Sequence, residues 1–164
     1  MPNRLDPAAW AAELSQIGLT WPAEAGSVFY RYVALLALKG VVYRSPVGDP
    51  DLWRRPAPPG YVGGQFRGNW DVAVGLPIVS ASPKHIDPSG TATVAAGSSR
   101  IATGTEGPPF HQIWVLNNLP YAVRLEEGWS TQAPGPGGIV EVTATEISAA
   151  TVPNATFRVM KNTT

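Results

Sequence analysis

The chain has 164 residues, close to the usual size of one domain, and 44% of them are hydrophobic, which is enough for a core. It contains no cysteine, which excludes disulfides and thiolate metal sites and fits a protein made in a reducing cytosol. Only 15% of the residues are charged and the formal net charge is zero, so little repulsion keeps copies apart; assembly and an ordinary low-charge domain are equally compatible with this.

The N-terminal stretch predicts a helix. Asp6 is a suitable N-cap and Pro7 suits the first helical position. Trp10, Leu14 and Ile17 follow at four- and three-residue spacing and form one apolar stripe before a break at Gly18. The stretch lacks the apolar core of a signal peptide.

A second, longer helix is predicted from Pro22 to the residue before Pro46. Its apolar residues form two faces at helical spacing, so we expect it to be mostly buried, either within its own fold or against a neighbouring subunit. Arg31 and Lys39 interrupt the apolar run, which is shorter than the roughly 20 residues of a membrane span. One face consists of Ala25, Phe29, Tyr32, Leu36, Gly40 and Tyr43, and the other of Val28, Leu35, Leu38 and Val42.

The loop 46–69 is rich in proline and glycine, with too many backbone breakers for a helix or a long strand. A disordered linker would not normally carry this many aromatic residues. Proline limits the entropy that a loop loses on docking, and Trp, Tyr and Arg are enriched at interface hot spots. We therefore interpret the segment from Trp53 to Trp70 as a projecting contact arm, with Trp70 anchoring its base in the core.

The remaining sequence predicts short strands and helices. Alternating residues from Trp70 predict a strand, 88–102 allows a short helix, and 110–116 has high β-propensity. A short helix is expected over 121–127, whereas 139–150 fits a strand or a helix. The C-terminal "NATFRVMK" is typical of a strand, which can pair within its own chain or with a neighbour.

Together these elements predict an α+β fold: N-terminal helices packed on a small mixed or antiparallel sheet, with long Pro/Gly-rich loops. We expect a single domain over 1–164. Its parts are a helical arm (1–20), a core (21–147) with the projecting loop 46–69, and a C-terminal extension (148–164).

No motif for catalysis, metal binding or cofactor binding is present. His85 and His111 match no metal-ligand spacing, and a structural or solvated role is the better interpretation of each. Glu126 and Glu127 are adjacent, so on a helix they point about 100° apart, as suits a solvated helix end. Gly60, Gly63, Gly64 and Gly68 fit neither phosphate-binding pattern. We predict that the protein is not an enzyme.

Charge is distributed unevenly along the chain. The segment 44–67 carries a net charge of about +2, less than a groove for a phosphate backbone usually has. The segment 121–147 carries about −3. Such a pair suits a head-to-tail contact between copies that closes into a ring, although a contact within one chain is equally open.

Three stretches resemble the tail-completion, or head–tail joining, proteins of long-tailed bacteriophages: "YRSPVGDP", "GGQFRGNW" and "PYAVRLEEGWSTQAPGPGGIV". That family carries a hydroxyl-Pro-Val-x-x-Gly motif after a helix, then a hydrophobic-Arg-x-x-Trp step, a Tyr-Ala-x-x-x-Glu-x-Gly step and a Gln-Ala-Pro-x-Gly segment. The resemblance covers roughly 30–142. The matching positions are Ser45, Pro46, Val47 and Gly48; Phe66, Arg67, Asn69 and Trp70; Tyr121, Ala122, Glu126 and Gly128; and Gln132, Ala133 and Pro134.

The resemblance implies a virion structural protein of the phage neck, assembled in the host cytoplasm, without catalysis or cofactor. It implies a homo-oligomeric ring, usually of six copies, between the head connector or adaptor protein and the tail tube protein, with incidental contact to DNA passing through. The long loop 50–62 departs from the family pattern and is interpreted as a docking loop. The predicted interface residues are Trp53, Arg54, Arg55, Tyr61, Phe66, Arg67, Glu126, Glu127 and Trp129.

Two other functions remain as alternatives. A carbohydrate- or polymer-binding module could use the loop Trp and Tyr side chains to stack on its ligand, but the long apolar helix is atypical of β-sandwich binders. A hydrolase could use His111 with a carboxylate, but no motif supports it.

Overall fold

The computed structural model describes residues 23–53, 55–80, 85–104, 112–132 and 138–151. Within these ranges helices and a small sheet are mixed, which confirms the α+β class. The predicted helix over 6–17 and the predicted C-terminal strand lie outside the described residues. The helices are α1 (Ala23–Arg44), α2 (Gln65–Gly68), α3 (Thr91–Gly104), α4 (Ala122–Glu126) and α5 (Ile139–Thr151); the strands are β1 (Trp70–Val74) and β2 (Ile113–Asn117).

Helix α1 is the central element, and one of its sides lies in the core. Leu38 and Val42 are fully buried there, where α3 and the sheet cover them. The face that carries Tyr32 and Tyr43 is not buried within this chain, because each of these two residues is about half exposed. The reason is packing: α3 and the sheet take one side of α1 and α5 takes a flank, which leaves the side of Tyr32 and Tyr43 outward. Burial of this face against a neighbouring subunit stays a prediction.

The sheet consists of two antiparallel strands, in a register that runs from Trp70 opposite Asn117 to Val74 opposite Ile113. Helix α3 crosses β1 closely at Gly97. A Cβ atom added at Gly97 would lie 2.5 Å from Leu38 Cδ2 and 2.9 Å from Val72 Cγ2. The small residue therefore lets α1, α3 and β1 meet at one point.

Two segments with ambiguous patterns are helices. In α5, Ile139, Thr143 and Ile147 recur every four residues and are all buried, on a helix that packs against α1. This packing decides between the strand that β-branched residues favour and the helix that the spacing favours. The uncertain helix over 88–102 is α3.

The loop 46–69 is more structured than predicted, because it contains a 3-10 turn (Pro50–Leu52) and α2. Gly64 begins α2 with a left-handed φ of 96°, and its N–H donates to Val47 O at 2.5 Å. A Cβ atom at Gly63 would lie 2.5 Å from Val47 O. The glycines therefore allow a close backbone contact that starts a short helix.

None of the helices in the described part of the chain combines the length and the hydropathy that a membrane crossing requires.

Candidate interaction surface

Ser45, directly after α1, links that helix to the sheet. Its side chain is buried, and its hydroxyl donates to Val41 O at 2.6 Å. The same hydroxyl oxygen accepts a hydrogen bond from Trp70 Nε1 at 2.6 Å. This chain of bonds holds the buried Trp70 indole, as predicted for the base of the arm.

Arg67 holds three backbone segments together. Its guanidinium donates to Ser45 O through Nη2 at 2.7 Å and through Nε at 3.2 Å, to Tyr43 O at 3.3 Å and to Pro88 O at 2.7 Å. The first two carbonyls belong to the end of α1, where helical carbonyls lack partners and a cation is favourable. Arg67, a predicted interface residue, is therefore engaged with its own chain.

Asp87 fixes the start of α3 and was not singled out by the sequence analysis. Its carboxylate accepts from Gly90 N, Thr93 N, Thr93 Oγ1 and Ser89 Oγ at 2.8–2.9 Å. Burial raises the pKa of Asp87, but these hydrogen bonds outweigh it and lower the pKa from 3.8 to about 2. The available signal was Asp followed by Pro ahead of a helical pattern, although Asp87 lies four residues before Thr91 and thus outside the N-cap position.

Asn69 completes this region, because its Nδ2 donates to Gln65 O at 2.6 Å and to His85 O at 2.9 Å. His85 Nδ1 lies 3.0 Å from Gly68 O. His85 is otherwise exposed, and its role stays the structural or solvated one that the sequence predicts. Among the described residues, no group of three or more His, Cys, Asp and Glu side chains could hold a metal ion, and His111 lies outside them.

The outer half of the loop carries paired aromatic rings. The rings of Trp53 and Tyr61 lie 4.7 Å apart between centroids. The Tyr61 hydroxyl packs over Gly48, which has a φ of 88° and leaves no room for a side chain. Burial and the neighbouring Tyr61 raise the pKa of Tyr121. The contact of Tyr61 with Gly48 thus ties the outer half of the loop to the residues that follow α1.

Further aromatic side chains connect Tyr121 to the core. Tyr121 lies 6.0 Å from Phe66, and Phe66 lies 5.8 Å from Trp70 in an edge-on arrangement. Phe66 is only 6% exposed. The structure therefore places this predicted interface residue inside the core, where it supports the surface from below.

A pair of amide hydrogen bonds brings the segment 121–132 beside the loop. Gln132 Oε1 accepts from Asp49 N at 2.7 Å, and Gln132 Nε2 donates to Asp49 O at 3.0 Å. In this segment Trp129 is 74% exposed, and the Arg124 guanidinium carbon lies 5.7 Å from the centroid of its ring. We call Trp53, Tyr61, Tyr121 and Trp129 the aromatic surface.

Several charges that the sequence assigned to contacts between copies are paired within the chain. Arg44 forms an ion pair with Glu146 and donates to Thr143 Oγ1. Glu126 accepts from the N–H groups of Ile139, Val140 and Glu141 at 2.8–3.1 Å and caps α5. The intramolecular alternative therefore accounts for these charges, as it does for Arg67.

Of the other predicted interface residues, Arg55 and Glu127 are exposed and Arg54 lies outside the described residues. The structure thus brings the loop and the segment 121–132 together on one molecule. It separates the exposed Trp53, Arg55, Glu127 and Trp129 from the internally engaged Phe66, Arg67 and Glu126.

Comparison of the chain with protein-family models, with curated proteins and with solved structures finds no match. A functional proposal therefore depends on the residue arrangement described above and on the resemblance of the short sequence steps.

Proposed function

We propose that this chain is a structural protein of the bacteriophage neck, where copies form a ring that joins the head connector to the tail tube. The resemblance implies six copies in this ring. In this role it completes or terminates the tail, and it resides in the virion. Its partners are other copies of itself, the connector or adaptor protein and the tail tube protein. DNA passes through the ring without being read.

The observation that carries the proposal is the meeting of the separate sequence steps in space. Ser45 of the first step bonds to Trp70 of the second. Tyr121 of the third packs on Phe66 of the second, and Gln132 of the last bonds to Asp49, next to the first step. Residues up to 87 positions apart thus form one joint, which supports a shared structural role for the steps.

The joint holds the aromatic surface in place. Trp53 and Trp129 are on segments tied to the core through Tyr61, Tyr121 and the Asp49–Gln132 pair. Large aromatic side chains that are already ordered lose little entropy on binding and supply most of the energy at interface hot spots. This arrangement favours a contact with another protein subunit, and the low charge of the chain is compatible with it.

The test begins with the mass of the purified protein in solution, measured by size-exclusion chromatography with light scattering. We expect a ring-sized oligomer, visible as rings by negative-stain electron microscopy, alone or with the connector and tail tube proteins. The double variant Trp53→Ala/Trp129→Ala should keep its unfolding midpoint and lose assembly. Val79→Ala is the control, because Val79 is an exposed apolar residue (86%, against 39% for Trp53 and 74% for Trp129) that lies on a different loop. A wild-type protein that stays monomeric with those partners present contradicts the proposal.

The exposed rings also favour the second candidate, a carbohydrate- or polymer-binding module, since sugars stack on Trp and Tyr faces. The two candidates differ in one measurement. A monomer that binds polysaccharides and loses this binding in Trp53→Ala/Trp129→Ala supports the second, whereas assembly without glycan binding supports the first.

A further inference from the structure

The hydrogen-bond pattern of the sheet shows which backbone groups of each strand point away from the other strand. Gly75 N donates to Gln112 O at 2.8 Å, in the pair next to the end of the register. Antiparallel pairs alternate between hydrogen-bonded and non-hydrogen-bonded positions, so every second residue directs its N–H and C=O outward. The outward residues of β2 are Ile113, Val115 and Asn117.

Helix α3 covers the outer edge of β1. Val72 is an outward residue of β1, and its C=O accepts a hydrogen bond from Arg100 Nη1 of α3 at 3.3 Å. The same arginine forms an ion pair with Asp71, which holds α3 along this edge. In the described part of the chain, the sheet thus keeps room for a further strand beside β2.

The outer edge of β2 carries backbone groups that are available for pairing. At one end Ile113 N donates to Tyr30 Oη of α1 at 3.2 Å. No described residue bonds to the outward N–H or C=O of Val115, and β2 is partly exposed along its whole length. The sequence of β2 contains neither a charged residue nor a proline, the residues that usually protect an edge strand. Such an edge is a template for another strand.

The backbone of this edge is complementary to itself. When a second copy is placed by a two-fold axis at Val115, the two Val115 residues face each other and exchange both of their N–H···O=C bonds. Asn117 N then reaches Ile113 O of the second copy. Ile113 N can keep its bond to Tyr30, so the pairing breaks no hydrogen bond of the chain.

The side chains of this register also match. Trp114 lies opposite Leu116 of the second copy, in a non-hydrogen-bonded pair where facing side chains approach most closely. Pairs of this aromatic and apolar kind stabilise antiparallel strands. Both residues are partly exposed in the single chain, and the Trp114 indole is already positioned by its bond to Gly75 O at 2.9 Å. No like charges meet, because β2 has no charged residue.

We propose that β2 pairs in antiparallel orientation with β2 of a second copy, in the register that places Val115 opposite Val115. The resulting sheet has four strands across two chains, with the two β2 strands at its centre. A two-fold contact of this kind closes at two copies. It uses none of the residues of the aromatic surface, and the inference does not depend on the proposed function.

The first experiment is amide hydrogen exchange of the full-length wild-type chain, measured residue by residue at increasing protein concentration. Val115 N–H and Asn117 N–H should exchange rapidly in dilute protein and slow by about tenfold or more in concentrated protein, where they are hydrogen-bonded. Trp114 N–H and Leu116 N–H are internal controls, because they point towards β1 and should be protected at every concentration.

The second experiment measures mass by light scattering in the Trp53→Ala/Trp129→Ala background, which removes the contact proposed for the ring. This double variant should form a dimer. Adding Val115→Pro should give a folded monomer, because proline removes the outward N–H and is tolerated on an edge strand whose nitrogen faces away from its partner strand. Val115→Ala is the matched control: it keeps the N–H and should still form the dimer.

Three results would overturn the proposal. Rapid exchange of Val115 N–H in concentrated protein would show that the edge stays unpaired. Slow exchange in dilute monomer would show that the chain covers this edge itself. A dimer that persists with Val115→Pro would place the contact elsewhere. If Val115→Pro does not fold, the exchange of the wild-type amides decides alone.

Discussion

At the scale of single residues, the hydrogen bonds of the Ser45 hydroxyl are the most consequential in the joint. Ser45→Ala removes the acceptor of the buried Trp70 Nε1 and leaves its N–H unpaired. A buried polar group without a partner costs about 1–3 kcal/mol. We therefore expect the free energy of unfolding, measured with urea, to fall by that amount.

Ser99→Ala is the matched control for this prediction. Ser99 also donates to the carbonyl four residues earlier, Ala95 O, but it is exposed, so its loss should be close to neutral. In a double-mutant cycle, Trp70→Phe should couple to Ser45→Ala, because each removes the same bond. Additive effects would show that the Trp70–Ser45 bond contributes nothing.

The lowered pKa of Asp87 predicts that the free energy of unfolding depends on pH. The pKa of this carboxyl is lowered from 3.8 to about 2 in the folded protein, so the folded state binds its proton more weakly than the unfolded state. The stability that it contributes is complete above about pH 4 and is lost as the pH falls towards 2. Asp87→Asn should therefore be less stable than wild type at neutral pH, and the difference should narrow between pH 4 and 2.

The measurement is urea unfolding of both proteins at several pH values, with Asp51→Asn, which is exposed, as the control. A difference between wild type and Asp87→Asn that is as large at pH 2 as at pH 7 would contradict the assignment.

At the scale of elements, α1 has one side in the core and one side facing outward. Leu38 lies on the first side and Leu36 on the second, so substitution of each measures how far its side is buried. Leu38 is fully buried, whereas Leu36 is partly exposed. Leu38→Ala should cost about 2–5 kcal/mol, as truncation of a buried leucine does, and Leu36→Ala clearly less. Thermal or urea unfolding of the two variants tests this; equal losses would mean that both sides of α1 are covered to the same extent.

The sequence predicted the elements better than their packing. The bounds of α1 followed from Pro22 and Pro46, and β1 followed from alternation that starts at Trp70. Which side of α1 is buried could not be deduced, because both sides carry apolar residues at helical spacing and only the positions of α3 and α5 distinguish them. Likewise α5 was ambiguous because its cap is Glu126, thirteen residues before Ile139, where no local motif reveals it.

At the scale of the whole molecule, assembly should depend little on salt. Arg44, Arg67 and Glu126 are engaged within the chain. Among the described residues, Arg55 and Glu127 are the proposed contact charges that are exposed, so the exposed aromatic side chains are expected to supply most of the contact energy. We expect the oligomer mass to stay constant between about 0.1 and 1 M NaCl, although the screening length falls from about 10 to 3 Å. Dissociation at high salt would instead indicate a contact built on ion pairs.

The candidate surface was predicted in part. Composition alone predicted that Trp53 and Tyr61 belong to a breaker-rich contact loop; Trp53 is exposed and Tyr61 is half-buried. It did not show that this loop lies beside Tyr121, since the contact between Phe66 and Tyr121 joins residues 55 positions apart. Nor did it show that Arg67 and Phe66 make their contacts within the chain. Charged and aromatic residues occur both in contacts within a chain and at interfaces between subunits, so composition does not distinguish the two.

The hydrogen bonds from Arg67 to backbone carbonyl groups, which we call the Arg67 clamp, limit which positions of this chain must be kept as its sequence diverges. Within the described part of the chain, the Arg67 guanidinium donates hydrogen bonds to carbonyl oxygen atoms, those of Tyr43, Ser45 and Pro88. Every amino acid offers the same carbonyl, so positions 43 and 88 can drift without loss of the clamp. Lysine cannot replace Arg67, since one ammonium does not span carbonyls in three directions. Descendants of this chain can thus keep one architecture while sharing only short islands of identical letters in otherwise unrelated sequence.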